Sequence, residues 1–232
     1  MATISLCMIV KNESAVLARC LDSIADLMDE IIIVDTGSTD NTKEIAAQYT
    51  SRIYDFKWAS DFSAARNFSF SKATMEYIYT ADADEILDDA NRERFLRLKD
   101  ALLPEIEIVQ MKYVTQGTFD TVLNAKKEYR PKLFRRLRTF TWIDPIHETV
   151  RLTPVTFDSD VEILHCPQSL HSKRDFSIFI KAFEHDGQFS PKIRTMYAKE
   201  LLKTGDKKDF TDAKPIFQLI FDNDPADDAR KE

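Results

Sequence analysis

The sequence predicts an α/β fold built on a mainly parallel central sheet, followed by a helical C-terminal segment. Over residues 4–85, short apolar runs alternate with segments of helical periodicity, a pattern typical of crossover units. The runs are nearly continuous in apolar character, as strands buried on both faces require. A chain of 232 residues is long enough for one large domain and a small appendage.

Four strands and three helices are predicted to alternate in this first part. The strands are placed at residues 4–10, 31–34, 52–56 and 77–81, and the helices at 12–27, 41–49 and 60–72. Asn12 is expected to cap the first helix, and Asn41 with Glu44 forms a candidate capping box at the second. Candidate buried side chains of the third helix are Phe62, Ala65, Phe68 and Phe70.

The pattern changes after a predicted helix at residues 91–103. Three further strands, at 106–115, 130–136 and 161–165, have no long helices between them, which indicates mixed or antiparallel strands added at the sheet edge. Helical periodicity returns at 174–186, 191–203 and 210–222. We place a boundary near residue 172, which gives a domain of residues 1–172 and a helical segment of 173–232.

Composition excludes several classes of protein. The four glycines are too far apart for a G-x-G-x-x-G turn or a P-loop, so neither common nucleotide fingerprint is present. The net charge of −7 argues against a protein that coats nucleic acid. Three cysteines without a C-x-x-C pair make a disulfide scaffold or a structural zinc site improbable. The run at 4–10 is too short to span a bilayer and lacks the basic start of a signal peptide. A cytoplasmic location is therefore expected, with peripheral membrane attachment left open.

An acidic cluster follows the fourth predicted strand directly. Ligands of open parallel sheets bind beyond the carboxyl ends of the strands, where Asp35, Asp82 and Asp84 are expected. Two carboxylates about 5 Å apart repel by roughly 3 kcal/mol at an effective dielectric near 20, so they favour a cation between them. Carboxylates without nearby sulfur ligands suit Mg²⁺ or Mn²⁺. The alternative is a solvated helix start whose acids complement the helix dipole.

Four motifs in order resemble one enzyme family. Residues 4–13 (ISLCMIVKNE), 29–42 (DEIIIVDTGSTDNT), 62–68 (FSAARNF) and 82–85 (DADE) are similar to the inverting family 2 glycosyltransferases, which have the GT-A nucleotide-diphospho-sugar transferase fold. Ile-His-Glu at 146–148 resembles the branch with lipopolysaccharide core glucosyltransferases and sublancin-type peptide glycosyltransferases.

The resemblance implies a nucleotide-sugar site. Asp35 would accept a hydrogen bond from uracil, Asp84 would bind the metal, and Asp82 would contact the ribose or the metal's water shell. The nucleotide-sugar set that it implies is Val10, Lys11, Asn12, Glu13, Asp35, Arg66, Asn67, Asp82 and Ala83. The metal set is Asp82, Asp84 and His165, with His165 resembling a histidine often found there in this branch.

The implied reaction is a metal-dependent inverting transfer of a hexose from a UDP-sugar to a peptide, lipid-linked or glycan acceptor. Mn²⁺ or Mg²⁺ would stabilise the departing diphosphate, and a base on the opposite face would deprotonate the acceptor. Candidate bases are Asp144, His147 and Glu148; we favour Glu148, with His147 positioning the substrate. Such a single displacement inverts the anomeric carbon.

Two other functions stay open at this point. A haloacid-dehalogenase-like phosphatase also carries Asp-x-Asp after a strand, but its later motifs are not apparent. A catalytically degenerate nucleotide-sugar-binding module is the non-enzymatic alternative.

Two further segments each allow more than one interpretation. Five cations in nine residues, Arg130, Lys132, Arg135, Arg136 and Arg138, could face a diphosphate or an anionic acceptor, or form a solvated strand edge. No aromatic ladder or RNA motif accompanies them, so no nucleic-acid partner is expected. The C-terminal segment around 196–225 resembles one tetratricopeptide-type hairpin, which would pack on the first domain or mediate a homo-oligomer, and the alternative is an ordinary helical cap.

Overall fold

A computed structural model describes residues 1–115, 127–136, 142–143, 145–146, 148–150, 155–166 and 172–223. The chain divides into two compact units. The first comprises residues 1–59, 63–143 and 149–169, and the second comprises residues 60–62, 144–148 and 170–232.

An eight-stranded sheet forms the centre of the first unit. Its strands are β1 (Ile4–Val10), β2 (Glu30–Asp35), β3 (Ile53–Asp55), β4 (Tyr77–Thr80), β5 (Glu85–Ile86), β6 (Ile108–Thr115), β7 (Lys127–Arg135) and β10 (Thr156–His165). A separate two-stranded sheet consists of β8 (Trp142–Ile143) and β9 (Thr149–Val150). The order across the large sheet is β3-β2-β1-β4-β7-β6-β10-β5.

Strand direction confirms the predicted mainly parallel sheet. β1, β2, β3 and β4 are parallel, and β7 pairs antiparallel with both β4 and β6. β6 therefore runs in the direction of β4, as does β10, which pairs parallel with β6. β5 is antiparallel to β10. The carboxyl ends of six of the eight described strands thus lie on the same side of the sheet. The strands after β4 run in both directions, as expected for mixed or antiparallel additions.

Apolar side chains cover both faces of the sheet. The helices of this unit are α1 (Leu17–Ile24), α2 (Thr42–Ala46), α3 (Phe62–Phe70) and α4 (Asp89–Ala101). Leu6 and Met8 of β1 belong to the cluster that includes Leu21 and Phe95 of α1 and α4. Their neighbour Cys7 belongs to a second cluster with Ile32 and others. Successive β1 side chains thus pack on opposite faces of the sheet, which explains the nearly continuous apolar run.

Three local predictions were wrong in whole or in part. Asn12 does not cap α1, because the helix begins at Leu17 and Asn12 has a φ of 55°. Asn41 does precede α2, but its side chain makes no capping hydrogen bond and the helix ends at Ala46. In α3, Ser63, Ala65 and Ser69 are the buried residues, so of the four predicted positions only Ala65 is fully buried.

The second unit contains the predicted C-terminal helices. They are α5 (Ser172–Asp186), α6 (Pro191–Thr204) and α7 (Lys207–Asn223). Tyr197 of α6 stacks on Phe179 of α5, with ring centroids 4.5 Å apart, and contacts Phe217 of α7 at 5.3 Å. Its hydroxyl is buried and has no hydrogen-bond partner among the described residues. Across the described part of the chain, no helix combines the length and apolar character needed to cross a membrane.

Candidate functional site

Asp35 lies at the carboxyl end of β2, beside Val10 at the end of β1. The two residues are direct neighbours in the parallel register, so the structure brings together two predicted nucleotide-binding positions. Asp35 Oδ1 accepts hydrogen bonds from the backbone N–H groups of Gly37 (2.9 Å) and Ser38 (2.8 Å). Oδ2 is buried and has no partner among the described residues. An unpaired buried carboxylate oxygen is costly, which favours a donor arriving with a ligand.

Hydrogen bonds join the loops that follow β1 and β2. The Asn12 N–H donates to Ser38 Oγ (2.9 Å), and the Thr39 N–H donates to Asn12 Oδ1 (2.8 Å). The Glu13 N–H donates to Thr42 Oγ1 (2.8 Å). The positive φ of Asn12 turns the chain so that these bonds can form, and asparagine tolerates that conformation. The loops around Asp35 are therefore held together before any ligand binds.

Asp84 and His165 meet at the end of β10. His165 Nε2 lies 3.0 Å from Asp84 Oδ2, and both side chains are about one-fifth exposed, with values of 23% and 20%. The backbone adds a second link, because the Cys166 N–H donates to the Asp84 carbonyl (3.0 Å). His165 Nδ1 is buried without a partner among the described residues. Two of the three predicted metal ligands are thus in direct contact.

Asp82 points towards a different neighbour. Its Oδ1 lies 3.9 Å from Arg66 Nη2, and its side chain is 54% exposed. Desolvation opposes ionisation of Asp82, but the positive charges of Lys132, Arg66 and Arg130 hold the pKa of this carboxyl below its usual range. Asp82 is therefore ionised at neutral pH and exposed to solvent, and it lies two residues before Asp84 in the sequence.

Glu85 and Lys132 form a buried ion pair that the sequence did not predict. Lys132 Nζ donates to Glu85 Oε1, and the two side chains are 7% and 2% exposed. Burial raises the pKa of the Glu85 carboxyl above its ordinary value, although the charge of Lys132 opposes the rise. Lys132 lies within the basic run, where nothing in the pattern distinguishes a buried lysine from its solvated neighbours.

Tyr113 of β6 packs between a cation and the histidine. The guanidinium of Arg130 lies 3.7 Å from the Tyr113 ring centroid, and the His165 ring lies 4.9 Å away at an interplanar angle of 33°. Tyr113 is 3% exposed. The imidazole of His165 is therefore held by an aromatic contact as well as by Asp84.

Arg66 and Asn67 of α3 both contact Trp142. Asn67 Nδ2 donates to the Trp142 carbonyl (3.0 Å), and the Trp142 N–H donates to Asn67 Oδ1 (2.9 Å). The Arg66 guanidinium lies 4.9 Å from the centroid of the Trp142 ring and donates to Thr80 Oγ1. Asn67 thus uses both amide atoms on the protein backbone, a structural contact that sequence reasoning did not find.

The remaining predicted residues lie in several places. Lys11, which is exposed, follows Val10 directly, and Ala83, which is buried, lies between Asp82 and Asp84 in the sequence. Glu148 is half-buried and belongs to the second unit. Asp144 and His147 lie outside the described residues.

All three cysteines are free. Cys7 and Cys20 are buried, and burial raises the pKa of the Cys7 thiol to about 12 and that of Cys20 well above its ordinary value. Cys166 is half-buried and directly follows His165.

The Asp84–His165 pair fits a divalent cation. His165 Nε2 and Asp84 Oδ2 lie 3.0 Å apart, which is hydrogen-bond distance. Adjacent ligand atoms at right angles on a cation with bonds of about 2.1 Å would also be about 3.0 Å apart. No group of three or more His, Cys, Asp or Glu side chains that could hold a metal occurs among the described residues. A cation here would need further oxygen ligands from a bound molecule or water, which is typical of Mg²⁺ and Mn²⁺ shared with phosphates.

An open α/β sheet binds its ligands beyond the carboxyl ends of its strands, and Asp35, Asp82 and Asp84 lie at or directly after two of those ends. Residues 5–153 match the model of the Glycosyl transferase family 2, and the chain belongs to that family. The family predicted from the four motifs is confirmed, and the phosphatase alternative is excluded.

Curated relatives cover only part of this chain. It is 49% identical over 87 residues to a TPR repeat-containing protein of Synechococcus elongatus (38% of this chain, 22% of that protein). It is 33% identical over 132 residues to the glycosyltransferase SunS of Bacillus subtilis (55% and 31%). It is 31% identical over 99 residues to the lipopolysaccharide core biosynthesis glycosyltransferase LpsC of Rhizobium meliloti (41% and 33%). The chain therefore spans a third or less of each relative's length.

Solved structures share the fold. Glucosyl-3-phosphoglycerate synthase from Mycobacterium tuberculosis, in complex with Mn²⁺, UDP-glucose and phosphoglyceric acid, superimposes with a TM-score of 0.57 at 18% identity and 82% coverage of both chains. The same enzyme with Mg²⁺ and UDP gives a TM-score of 0.56 at 18% identity, covering 82% of this chain and 81% of the other. The predicted GT-A fold is thereby confirmed.

Proposed function

We propose that this protein transfers a hexose from a UDP-sugar to an acceptor with inversion, using Mn²⁺ or Mg²⁺. The observation that carries the proposal is the contact between Asp84 and His165 at the carboxyl edge of a family 2 sheet. The fold neighbour described with Mn²⁺ and UDP-glucose supports both the metal and the donor class.

The uracil ring would bind against Asp35. Its buried Oδ2 lacks a partner among the described residues, and the N3–H of uracil is a donor that it could accept. Val10 lies beside Asp35 in the register, and the joined loops after β1 and β2 hold Lys11, Asn12 and Glu13 around the same place. Arg66 would contribute positive charge towards the nucleotide, within reach of Asp82.

Asp84 and His165 would hold the cation, with Asp82 accepting from the ribose or from metal-bound water and Ala83 lying between the two acids. When bound, the divalent ion stabilises negative charge on the departing diphosphate without a proton donor. Asp82 is kept ionised by Lys132 and Arg66, so it stays an acceptor at neutral pH.

Glu148 is the proposed base that removes the acceptor's proton, with His147 as a substrate-positioning residue. The acceptor would be a peptide, a lipid-linked sugar or a glycan, since relatives of this family include both SunS and a lipopolysaccharide core enzyme. We further propose that the protein is located in the cytoplasm and that two or more copies of it associate through the C-terminal helices.

A thermal-shift experiment tests the donor and the metal. UDP or UDP-glucose with Mn²⁺ should raise the melting temperature, whereas either alone should raise it much less. Asp84→Asn should abolish the Mn²⁺-dependent part, and Asp88→Asn, at the N-cap of α4, is the matched control that should keep it. Equal shifts with and without metal, or GDP and CDP acting as well as UDP, would contradict the proposal.

The base requires an activity readout. Hydrolysis of UDP-glucose or transfer to a peptide panel should fall by about 100-fold or more in Glu148→Gln, since general base catalysis contributes about 10²–10⁴-fold. UDP binding should be unchanged in that variant. Wild-type protein that binds UDP-sugar but catalyses neither reaction would favour the degenerate binding module.

A further inference from the structure

The acidic turn after β4 is tied to the rest of the sheet through Glu85. The residue directly follows Asp84, and its backbone pairs with His165 in the β5–β10 register. A peptide bond therefore connects Glu85 to Asp84, and strand pairing connects it to His165, so it is linked to both proposed metal ligands. Any movement of Glu85 would be transmitted to the 3.0 Å contact between Asp84 and His165.

The Glu85 side chain is anchored to a strand that is not its neighbour. It binds Lys132 of β7, which is three positions from β5 in the order β7-β6-β10-β5. The ion pair therefore fixes the position of the edge strand relative to the middle of the sheet. Tyr113 of β6, between these strands, holds the His165 ring and lies 5.5 Å from Lys132 Nζ.

We propose that the Glu85–Lys132 ion pair is a positioning device that holds Asp84 and His165 in the geometry required for a divalent cation. The inference rests on the proposed function. It also implies that Lys132 does not contact the diphosphate of the donor, because the lysine side chain is 7% exposed and is paired with a buried carboxylate. Arg130, whose side chain is 46% exposed, differs from it in this respect.

Fold stability alone does not explain this pair. Replacing a buried ion pair by apolar residues of similar volume is often neutral or stabilising, whereas a fixed pair imposes one geometry. The pair lies next to the proposed ligands, and side chains that orient metal ligands typically change metal affinity by about 10–100-fold.

The double variant Glu85→Met/Lys132→Met tests the proposal. It leaves the net charge near the ligands unchanged, so a change in metal affinity reports on geometry. Mn²⁺ affinity in the presence of UDP would be measured from the EPR signal of free Mn²⁺, and UDP affinity without metal by calorimetry. We expect about tenfold or more weaker Mn²⁺ binding, unchanged UDP binding and a fold about as stable as wild type.

The control removes a second ion pair, just before the amino end of β2 and away from the proposed metal ligands. Lys99 Nζ lies 2.7 Å from Asp29 Oδ2, and Lys99 is 5% exposed. The control also removes the hydrogen bonds from the Ile4 N–H to Asp29 Oδ2 and from Lys99 Nζ to the Leu27 carbonyl. Asp29→Met/Lys99→Met should keep wild-type Mn²⁺ affinity. Unchanged Mn²⁺ affinity in the Glu85/Lys132 double variant would overturn the positioning role, and weaker metal-free UDP binding in it would show that Lys132 contacts the donor.

A second readout separates this inference from the proposed function. The imidazole ¹⁵N signals of His165, assigned with His165→Gln, report on the contact with Asp84 without metal. They should shift in Glu85→Met/Lys132→Met and not in the control. Wild-type protein that binds no Mn²⁺ would refute the proposed function, whereas unshifted His165 signals would refute the positioning role itself.

Discussion

Replacing Asn67 by alanine should destabilise the first unit without weakening nucleotide binding. The Asn67 amide pairs with both the N–H and the C=O of Trp142, at 2.9 and 3.0 Å. Trp142 is 8% exposed, so truncation would leave two poorly solvated backbone groups unpaired. Each such group costs about 1–3 kcal/mol, and water reaching the half-buried Asn67 keeps the total loss at about 2–4 kcal/mol.

Urea unfolding followed by circular dichroism would measure the loss, and calorimetry would measure UDP affinity on the folded variant. Asn223→Ala is the control, since that exposed amide donates to the Leu219 carbonyl of its own helix, and its loss should change stability by less than about 0.5 kcal/mol. An Asn67→Ala variant as stable as wild type but about tenfold weaker for UDP would refute this reasoning and support the predicted role of Asn67 in nucleotide-sugar binding.

Three other outcomes follow from described contacts. Tyr197→Phe should stabilise the fold by about 1 kcal/mol in urea unfolding, because it removes a buried hydroxyl without a described partner; destabilisation would reveal a partner. Asp35→Asn should weaken UDP binding by about tenfold or more in calorimetry, since an amide donor would face the uracil N3–H; unchanged affinity would remove Asp35 from the site. Partial burial favours neutral Asp40, but hydrogen bonds from Thr42 and Ser14 lower its pKa from 3.8 to about 2. Its stabilising effect is therefore present above about pH 4 and lost towards pH 2, and Asp40→Asn should flatten the pH dependence of unfolding in that range; an unchanged slope would contradict this.

The sheet could be predicted from the sequence because its signal is local. Continuous apolar runs mark strands buried on both faces, and the residues after each run mark the edge where ligands bind. Asp35 and Asp84 lie there for that reason. Helix starts were less predictable from the sequence. Asparagine is a common N-cap residue, yet the Asn12 side chain accepts a hydrogen bond from Thr39 in the loop after β2, 27 positions away.

Long-range pairing explains what the sequence could not provide. Lys132 and Glu85 are 47 residues apart, and Asn67 and Trp142 are 75 apart. No pattern along the chain distinguishes a buried lysine in a basic run, or an amide bonded to the backbone, from their solvent-facing counterparts. The Asp84–His165 contact spans 81 residues, and only the family resemblance suggested it.

The unequal accessibility of the three thiols makes the wild-type chain suited to selective labelling. At neutral pH the two interior sulfurs stay protonated and shielded, whereas Cys166 is half-buried and is the thiol that we expect a maleimide fluorophore to reach. Because this cysteine adjoins His165, a dye attached there would sense ligand occupancy through quenching by paramagnetic Mn²⁺. A reporter of binding thus needs no engineered residue.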